Sequence, residues 1–332
     1  MSDFTHAPAQ TSWPLPTRLR AQRMRVKLVV RELLELPPHK GGLLRGLIGV
    51  TLKRLACAQR ERDTCPPCVL GNGCPYGYLF EPTLAPQLAA ELDVSEPPSP
   101  FVVEPPEDLR LLYRPGEELE LGLVLIGRGL QYLPYLLMAL EELGEQGVGR
   151  RRARYQVASV VAEDLLGTPL PAVGTGFGGP ELVSHAAGWP ADRLTLHYAT
   201  PARLKHRQRF VSRPDFAILI AALARRVALL AATHADEPWT LDPGALQQAA
   251  RVQIAAARTN WSVRDRYAPR QQQGMSLSGI IGDVTYVGPL APFRPLLALG
   301  ELVHVGKAAV FGNGRFSVHA DGGAGDEPRG AP

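Results

Sequence analysis

Two α+β units, each running strand-helix-strand-strand-helix-strand, are what this 332-residue sequence predicts. Three observations carry that prediction. A pattern of apolar strand, proline-led helix, Leu-Gly-Glu helix end, cationic glycine loop and aromatic closing strand occurs over residues 119–157 and again over 280–318. Each copy is preceded by its own strand and helix pattern. All four cysteines fall together just after the first of those helices. The spacings within the copies differ, so the repeat is a diverged duplication.

From the N-terminus, Met24 to Leu34 alternates Val26, Leu28 and Val30 with Arg25, Lys27 and Arg31, the period of a half-exposed strand. Leu43, Leu44, Leu47, Ile48, Leu52 and Leu55 then recur at helical spacing up to Ala56. Gly46 and Gly49 each lower the helix propensity there by about 1 kcal/mol, so close approach of a sheet or a ligand must offset them. Strands follow near Phe101–Val103 and Leu119–Ile126, a helix from Pro134 to Glu145, and a closing strand from Tyr155. The second half repeats the order. Leu194–Ala199 is a strand, Phe216 to Leu230 a long helix, Val263–Tyr267 and Ile280–Val287 strands, Pro292 to Glu301 a helix, and Arg315–Val318 the last strand. This is the split β-α-β order of ferredoxin-like domains, shared with RRM domains. The expected boundaries are a disordered leader at 1–19, a first domain at 20–160 with a cysteine insertion at 57–80, a linker at 161–190, a second domain at 191–320 and a disordered tail at 321–332. Pro97, Pro98, Pro100, Pro105 and Pro106 stiffen an extended connector inside the first domain.

Hydrophobic residues make up 45% of the chain, yet no window approaches 18 unbroken apolar residues, which argues against a membrane span. The N-terminus lacks the order of a secretory signal, so the expectation is a cytoplasmic protein with no membrane partner. The net charge of +4 is modest, but cations cluster at Arg150, Arg151, Arg152 and Arg154 and at Arg203, Lys205, Arg207 and Arg209. Such clusters are usually solvated faces. Beside glycine loops they point to a polyanion.

Cys57, Cys65, Cys68 and Cys74 form C-x7-C-x2-C-x5-C, with Pro66, Pro67, Gly71, Gly73 and Pro75 forcing turns between them. A C-x2-C knuckle with two flanking thiolates suits a closed, structural zinc site. An iron–sulfur cluster also takes four thiolates and stays open as a reading, as do free or paired thiols.

The segment His304 to Phe316 sets Gly306, Gly312 and Gly314 beside Lys307 and Arg315. Glycine permits both positive φ and close backbone approach, so successive amides can form a phosphate-sized nest with fixed charge at its rim. His304 and Lys307 are therefore candidates at a phosphate, although His304 can equally hydrogen-bond the loop and only shape it. His39 stands at the expected start of the first helix, where amide dipoles favour a phosphate. Histidine suits proton transfer because its pKa lies near neutrality. Arg203, Lys205 and Arg207 alternate along an extended segment, putting three cations on one strand edge that would track a phosphate backbone. Trp261 and Tyr267, among Arg258, Arg264 and Arg266, offer rings for base stacking, with a core position for Trp261 as the alternative.

Taken together, Lys40-Gly41-Gly42-Leu43-Leu44-Arg45-Gly46, the run Cys74 to Glu81, Thr200 to Lys205, Arg266-Tyr267 and His304 to Lys307 carry a family resemblance. The chain resembles the CRISPR-associated endoribonucleases that cut precursor crRNA within its repeats, members of the RAMP superfamily. The resemblance spans nearly all of residues 24–318. It implies paired ferredoxin-like domains, a glycine-rich loop near the C-terminus, and metal-independent cleavage leaving a 2′,3′-cyclic phosphate and a 5′-hydroxyl, with no cofactor in catalysis. It further implies CRISPR repeat RNA as partner, with effector-complex subunits as further partners. By the same token Lys40 and Arg45 join Arg203, Lys205, Arg207, Arg266, Tyr267 and Arg315 as RNA-binding candidates, and His39, His304 and Lys307 become the catalytic set. One departure is Val50, where some relatives carry a histidine, which leaves the general base open. Two rivals remain at this point: a non-catalytic RNA-binding subunit of the same superfamily, and a metal-dependent hydrolase.

Overall fold

The computed structural model describes residues 13–60, 64–65, 68–106, 108–263, 265–268 and 273–320, with the backbone alone for 265–268 and 273–276. The first unit comprises β1 (Ala21–Val30), α1 (Gly41–Ala56), β2 (Phe101–Glu104), β3 (Glu118–Ile126), α2 (Leu133–Gln146) and β4 (Tyr155–Glu163). The second comprises β5 (Arg193–Ala202), α3 (Phe216–His234), β6 (Gln253–Ser262), β7 (Gly279–Val287), α4 (Arg294–Val303) and β8 (Phe316–His319).

Both sheets are antiparallel and have the same order, β2-β3-β1-β4 in the first and β6-β7-β5-β8 in the second. In each, the third strand of the unit lies between the first two, which is the ferredoxin-like topology read from the sequence. The alternation seen in β1 has its physical consequence here. Met24, Val26, Leu28 and Val30 are buried under α1 and α2, while Arg23, Arg25 and Lys27 emerge on the opposite face. Gly49 packs edge-on to the Phe80 ring, where a Cβ would lie 2.7 Å from Cε1. The group that comes close to Gly49 is thus a side chain of the helix Pro75–Phe80, not the sheet or ligand expected.

The structure corrects three expectations. The strand expected at Val263–Tyr267 is Gln253–Ser262, and residues 265–268 instead pair with 273–276 as a separate hairpin. The alanines of β6 concealed it, being poor strand formers on an edge with few buried positions. Residues 13–19, expected in the leader, pack onto the second domain through Trp13, Leu15 and Leu19. Residues 1–12 and 321–332 lie outside the described residues. The linker contains a helix, Gly179–Ala186, whose Leu182 and Ala186 join the second core. Finally, α3 is long and apolar enough by composition to cross a membrane, but Leu219, Leu223, Val227 and Leu230 are buried in that same core.

The two domains share apolar material. Ala21, Val102, Val124 and Ile126, on the face of the first sheet away from its helices, belong to the core of the second domain. Beside them lies a buried polar knot. Glu104, at the end of β2, accepts hydrogen bonds from Arg23 at 3.1 Å and faces His304 Nε2 at 2.8 Å and Arg315 Nε at 3.8 Å. Burial disfavours its charge, but Arg23, the His304 hydrogen bond and Arg315 together hold the Glu104 carboxyl far below the ordinary carboxylate range. Arg23 also donates to the backbone carbonyl of Glu301 on α4 at 2.8 Å. At the same junction, Tyr78 donates to His234 Nδ1 at 3.0 Å, and His234 Nε2 donates to the Pro98 carbonyl at 2.7 Å.

Two measurements test this account. Burial pushes the Glu301 carboxyl up to about 7, against the opposing Val318 amide, Arg23 and Arg315. The folded state therefore holds the proton more tightly than the unfolded chain, and stability is lost as pH rises through 7. Glu301→Gln keeps the acceptor for Val318 and cannot ionise. It should gain about 1–3 kcal/mol over the wild type at pH 8 relative to pH 5; an equal difference at both pH values refutes the assignment. Secondly, Gly314 has φ +69 with a built Cβ 1.8 Å from the Val305 carbonyl oxygen, whereas Gly116 has φ +87 and nothing within 4 Å. Gly116→Ala should cost about 1–2 kcal/mol in urea unfolding, the backbone penalty alone, and Gly314→Ala clearly more. Equal losses would show that the terminal loop is not packed as described.

Candidate functional site

The N-terminus of α1 meets the terminal loop. Gly41 opens the helix, and a Cβ there would lie 2.1 Å from the Phe311 carbonyl oxygen. The Lys40 side chain does not cap the first turn, and Gly41 and Gly42 line the cleft formed at this contact. His39, half-buried, lines that cleft with Pro106, Thr200, Leu277, Gly312 and Asn313. His39 before the helix start and part of the C-terminal loop therefore share one cleft, while His304 and Lys307 of the expected catalytic set do not line it. Among the described residues lining it, His39 supplies the one imidazole.

Other candidates serve this architecture rather than the cleft. Lys40 is 1% exposed, and its ammonium donates to the Asp108 backbone carbonyl at 2.8 Å and to its carboxylate at 3.0 Å. The Tyr113 hydroxyl donates to the same carboxylate at 2.6 Å. Burial works against the Asp108 charge, but Tyr113 and Lys40 hold its carboxyl below the ordinary range. Lys40 thus anchors the Asp108 segment that forms one cleft wall. Arg45 is likewise buried. It donates to Ser99 at 2.7 Å, with its guanidinium 4.7 Å from the Phe80 ring centre and 4.5 Å from that of Phe101. Both side chains are engaged by protein that the sequence supplies from 50 or more residues away, although Lys40 also lines the cleft.

The glycine loop also departs from the expected nest. Its glycines allow protein, not phosphate, to come close. Gly306 abuts the Arg203 carbonyl, Gly312 abuts Pro105 and Val103, and Gly314 abuts Val305. Several amides are already taken up: Lys307 donates to the Arg203 carbonyl, Gly314 to that of Pro201 and Val305 to that of Gly314, each at 3.0 Å. Thr200 locks the turn by donating to the Gly312 carbonyl at 2.7 Å and accepting from the Arg315 amide at 2.9 Å. His304 is fully buried with φ +62, between Glu104 and the Asn313 carbonyl at 3.1 Å. Both partners are acceptors, which only a doubly protonated ring satisfies together. Burial opposes that form and draws the His304 pKa below its ordinary value, against the Glu104 carboxylate. His304 shapes the loop and does not face the cleft. Lys307 is exposed on the loop, outside the residues lining the cleft.

Arg203, Lys205 and Arg207 do not form a straight edge. The chain turns back between Lys205–His206 and Arg209–Phe210, with Arg207 and Gln208 at positive φ. Arg203 stacks on the Phe210 ring at 3.9 Å and Lys205 approaches it at 5.2 Å, so two cations share one aromatic ring and Arg207 sits at the tip. Arg315 is partly exposed and lines a recess of about 450 Å³ with Arg23 and Arg25 along the open face of the first sheet. The side chains of Arg266 and Tyr267 lie outside the described residues. Trp261 is 41% exposed, which excludes the core reading.

Cys57, Cys65, Cys68 and Cys74 line one small hollow, although no three ligating groups converge to metal-binding distance among the described residues. Burial, then Glu81 and the neighbouring Cys74 and Cys57, push the Cys65 thiol up to about 12. In this state the thiols stay protonated; a cation would stabilise their thiolates instead, and four cysteines around one hollow are the donor type that suits a thiophilic metal. The residues that organise the cleft but escaped the sequence reading are Glu104 and Asp108, while Thr200 entered only within the segment carrying the resemblance. The one legible signal for Glu104 is an acid closing an apolar strand immediately before Pro105-Pro106.

Comparison with known proteins places this architecture. Residues 196–316 match the model of the CRISPR-associated endoribonuclease Cas6 family, and residues 19–176 match one described as an N-terminal domain, AF_1859_N. A protein of Archaeoglobus fulgidus without an assigned function is 23% identical over 91% of this chain and 99% of its own length. Among solved structures, Thermus thermophilus Cas6 is 16% identical with a TM-score of 0.51, covering 91% of this chain and 99% of its own. A Cas6 product complex reaches 0.52 at 18% identity over 90% and 99%. A chain of a partial Cas6-RT-Cas1–Cas2 complex reaches 0.57 at 14% identity, over 96% of this chain and 49% of that one. The C-terminal domain thus carries the match to the CRISPR-associated endoribonuclease Cas6 family model, and the fold of the chain is similar to that of solved Cas6 structures.

Proposed function

We propose that the protein cleaves CRISPR repeat RNA to mature crRNA without a metal in the chemical step. The observation that carries this reading is His39 beside the open first turn of α1, in a cleft closed by the terminal loop. In the proposed reaction the RNA 2′-hydroxyl loses its proton to a base and attacks the adjacent phosphorus. The P–O5′ bond breaks, and the leaving oxygen takes a proton from an acid, giving a 2′,3′-cyclic phosphate and a 5′-hydroxyl. His39 serves one of these proton transfers, and the α1 amides stabilise charge on the phosphorane oxygens. Lys205 and Lys307, exposed on the second domain, supply positive charge to the RNA backbone. Cys57, Cys65, Cys68 and Cys74 would hold a structural zinc that fixes the irregular chain after α1. Repeat RNA is the partner, and subunits of CRISPR complexes such as the Cas1–Cas2 assembly are further partners.

His39→Ala should slow single-turnover cleavage in EDTA by about 100-fold or more while RNA affinity stays within a few fold. An unchanged rate removes His39 from the mechanism. No product from the wild type at any protein concentration would favour a non-catalytic RNA-binding subunit, and activity restored by Mg²⁺ a metal-dependent one. Elemental analysis of protein purified without chelator should find zinc near one equivalent; a brown protein absorbing near 400 nm would assign an iron–sulfur cluster instead.

A further inference from the structure

The two sheets turn very different faces to solvent, although their topology is the same. On the first, Arg23, Arg25 and Lys27 are matched by Glu104, Glu118, Glu120 and Glu163 in a lattice of ion pairs. That face has little charge left for a polyanion. The open face of the second sheet is built otherwise. Strand register places Arg258, Asp283, His197 and Ser317 in one row across all four strands, and Ala256, Thr285, Thr195 and His319 in the next. His197 lies on the central strand β5, and its Nδ1 donates to Asp283 at 2.6 Å, which fixes the ring. The His197 and Asp283 side chains are 45% and 47% exposed, so nothing described covers them. The His319 ring lies 6.1 Å away at 79°, with Ser317 within 3.1 Å of its Nε2. Thr195 and Thr285 share a hydrogen bond at 2.9 Å in the second row. Arg193 and Arg258 are exposed at the sides.

Two exposed rings on neighbouring strands, hydroxyls between them and arginines at the margin make a platform suited to unpaired nucleotides. Base faces stack on rings without sequence preference, and arginines meet the phosphates. Asp283 is offset by Arg258, which stands directly opposite it on the neighbouring strand. We infer that this face binds a single-stranded stretch of RNA, with His197 and His319 as its stacking residues, separately from the His39 cleft. The inference rests on the Cas6 reading for its biological substrate and deepens it: the strand seated here is the unpaired RNA that flanks the cut.

The test uses the full chain and a fluorescein-labelled ten-nucleotide oligo(U), read by fluorescence anisotropy. His197→Ala with His319→Ala should weaken binding tenfold or more. His197→Phe with His319→Phe restores the rings but not the Asp283 contact, and should return affinity to within threefold of the wild type. His39→Ala should leave oligo(U) binding unchanged, so a failure of the nuclease assignment is distinguishable from a failure of this one. Affinity unaltered in the double alanine variant overturns the inference, as does a double phenylalanine variant as weak as it. A wild-type dimer in sedimentation that the alanine variant loses, with oligo(U) binding intact, would assign the face to self-association instead.

Discussion

One buried carboxylate holds this molecule together. Glu104 ends a strand of the first domain, and its partners are Arg23 on the neighbouring sheet face, His304 at the end of α4 and Arg315 before the last strand. A single ionised acid in a dry junction is unfavourable, and three cationic or donor groups around it reverse the balance. The result fixes the angle between the two sheets and, through His304 and Asn313, the course of the terminal loop. The cleft against α1 exists because that loop is held there.

The glycines of the loop show why a motif does not identify its ligand. A positive φ and an absent Cβ allow close approach by any group. Here the approaching groups are the carbonyls of Arg203, Val103 and Val305. The first turn of α1 and the His39 imidazole form the other wall of the cleft, and the terminal loop contributes by position, closing that space.

Charge follows the same logic. Lys40, Arg45 and His304 look, in sequence, like Lys205, Arg207 and Lys307. The first three are buried with partners from distant segments, and the last three are exposed. Likewise the two sheets carry cations at matching places, yet facing glutamates neutralise one face and leave the other to its histidines and arginines. Whether a cation binds substrate or protein depends on its neighbours across the fold.

Period-two and helical patterning, proline-led helix starts and the duplicated order set the paired ferredoxin-like units, because those signals act within a few residues of chain. The cysteine grouping and the position of His39 at a helix start were equally local, and both hold in three dimensions as shared surroundings. The edge strand β6 was missed because its alanines carry no alternation, and the packed residues 13–19 because their contacts lie in the other half of the chain. Burial, pairing and the facing of side chains were decided by tertiary structure alone. Glu104 and His304 stand 200 residues apart, and no local pattern encodes a contact over that separation.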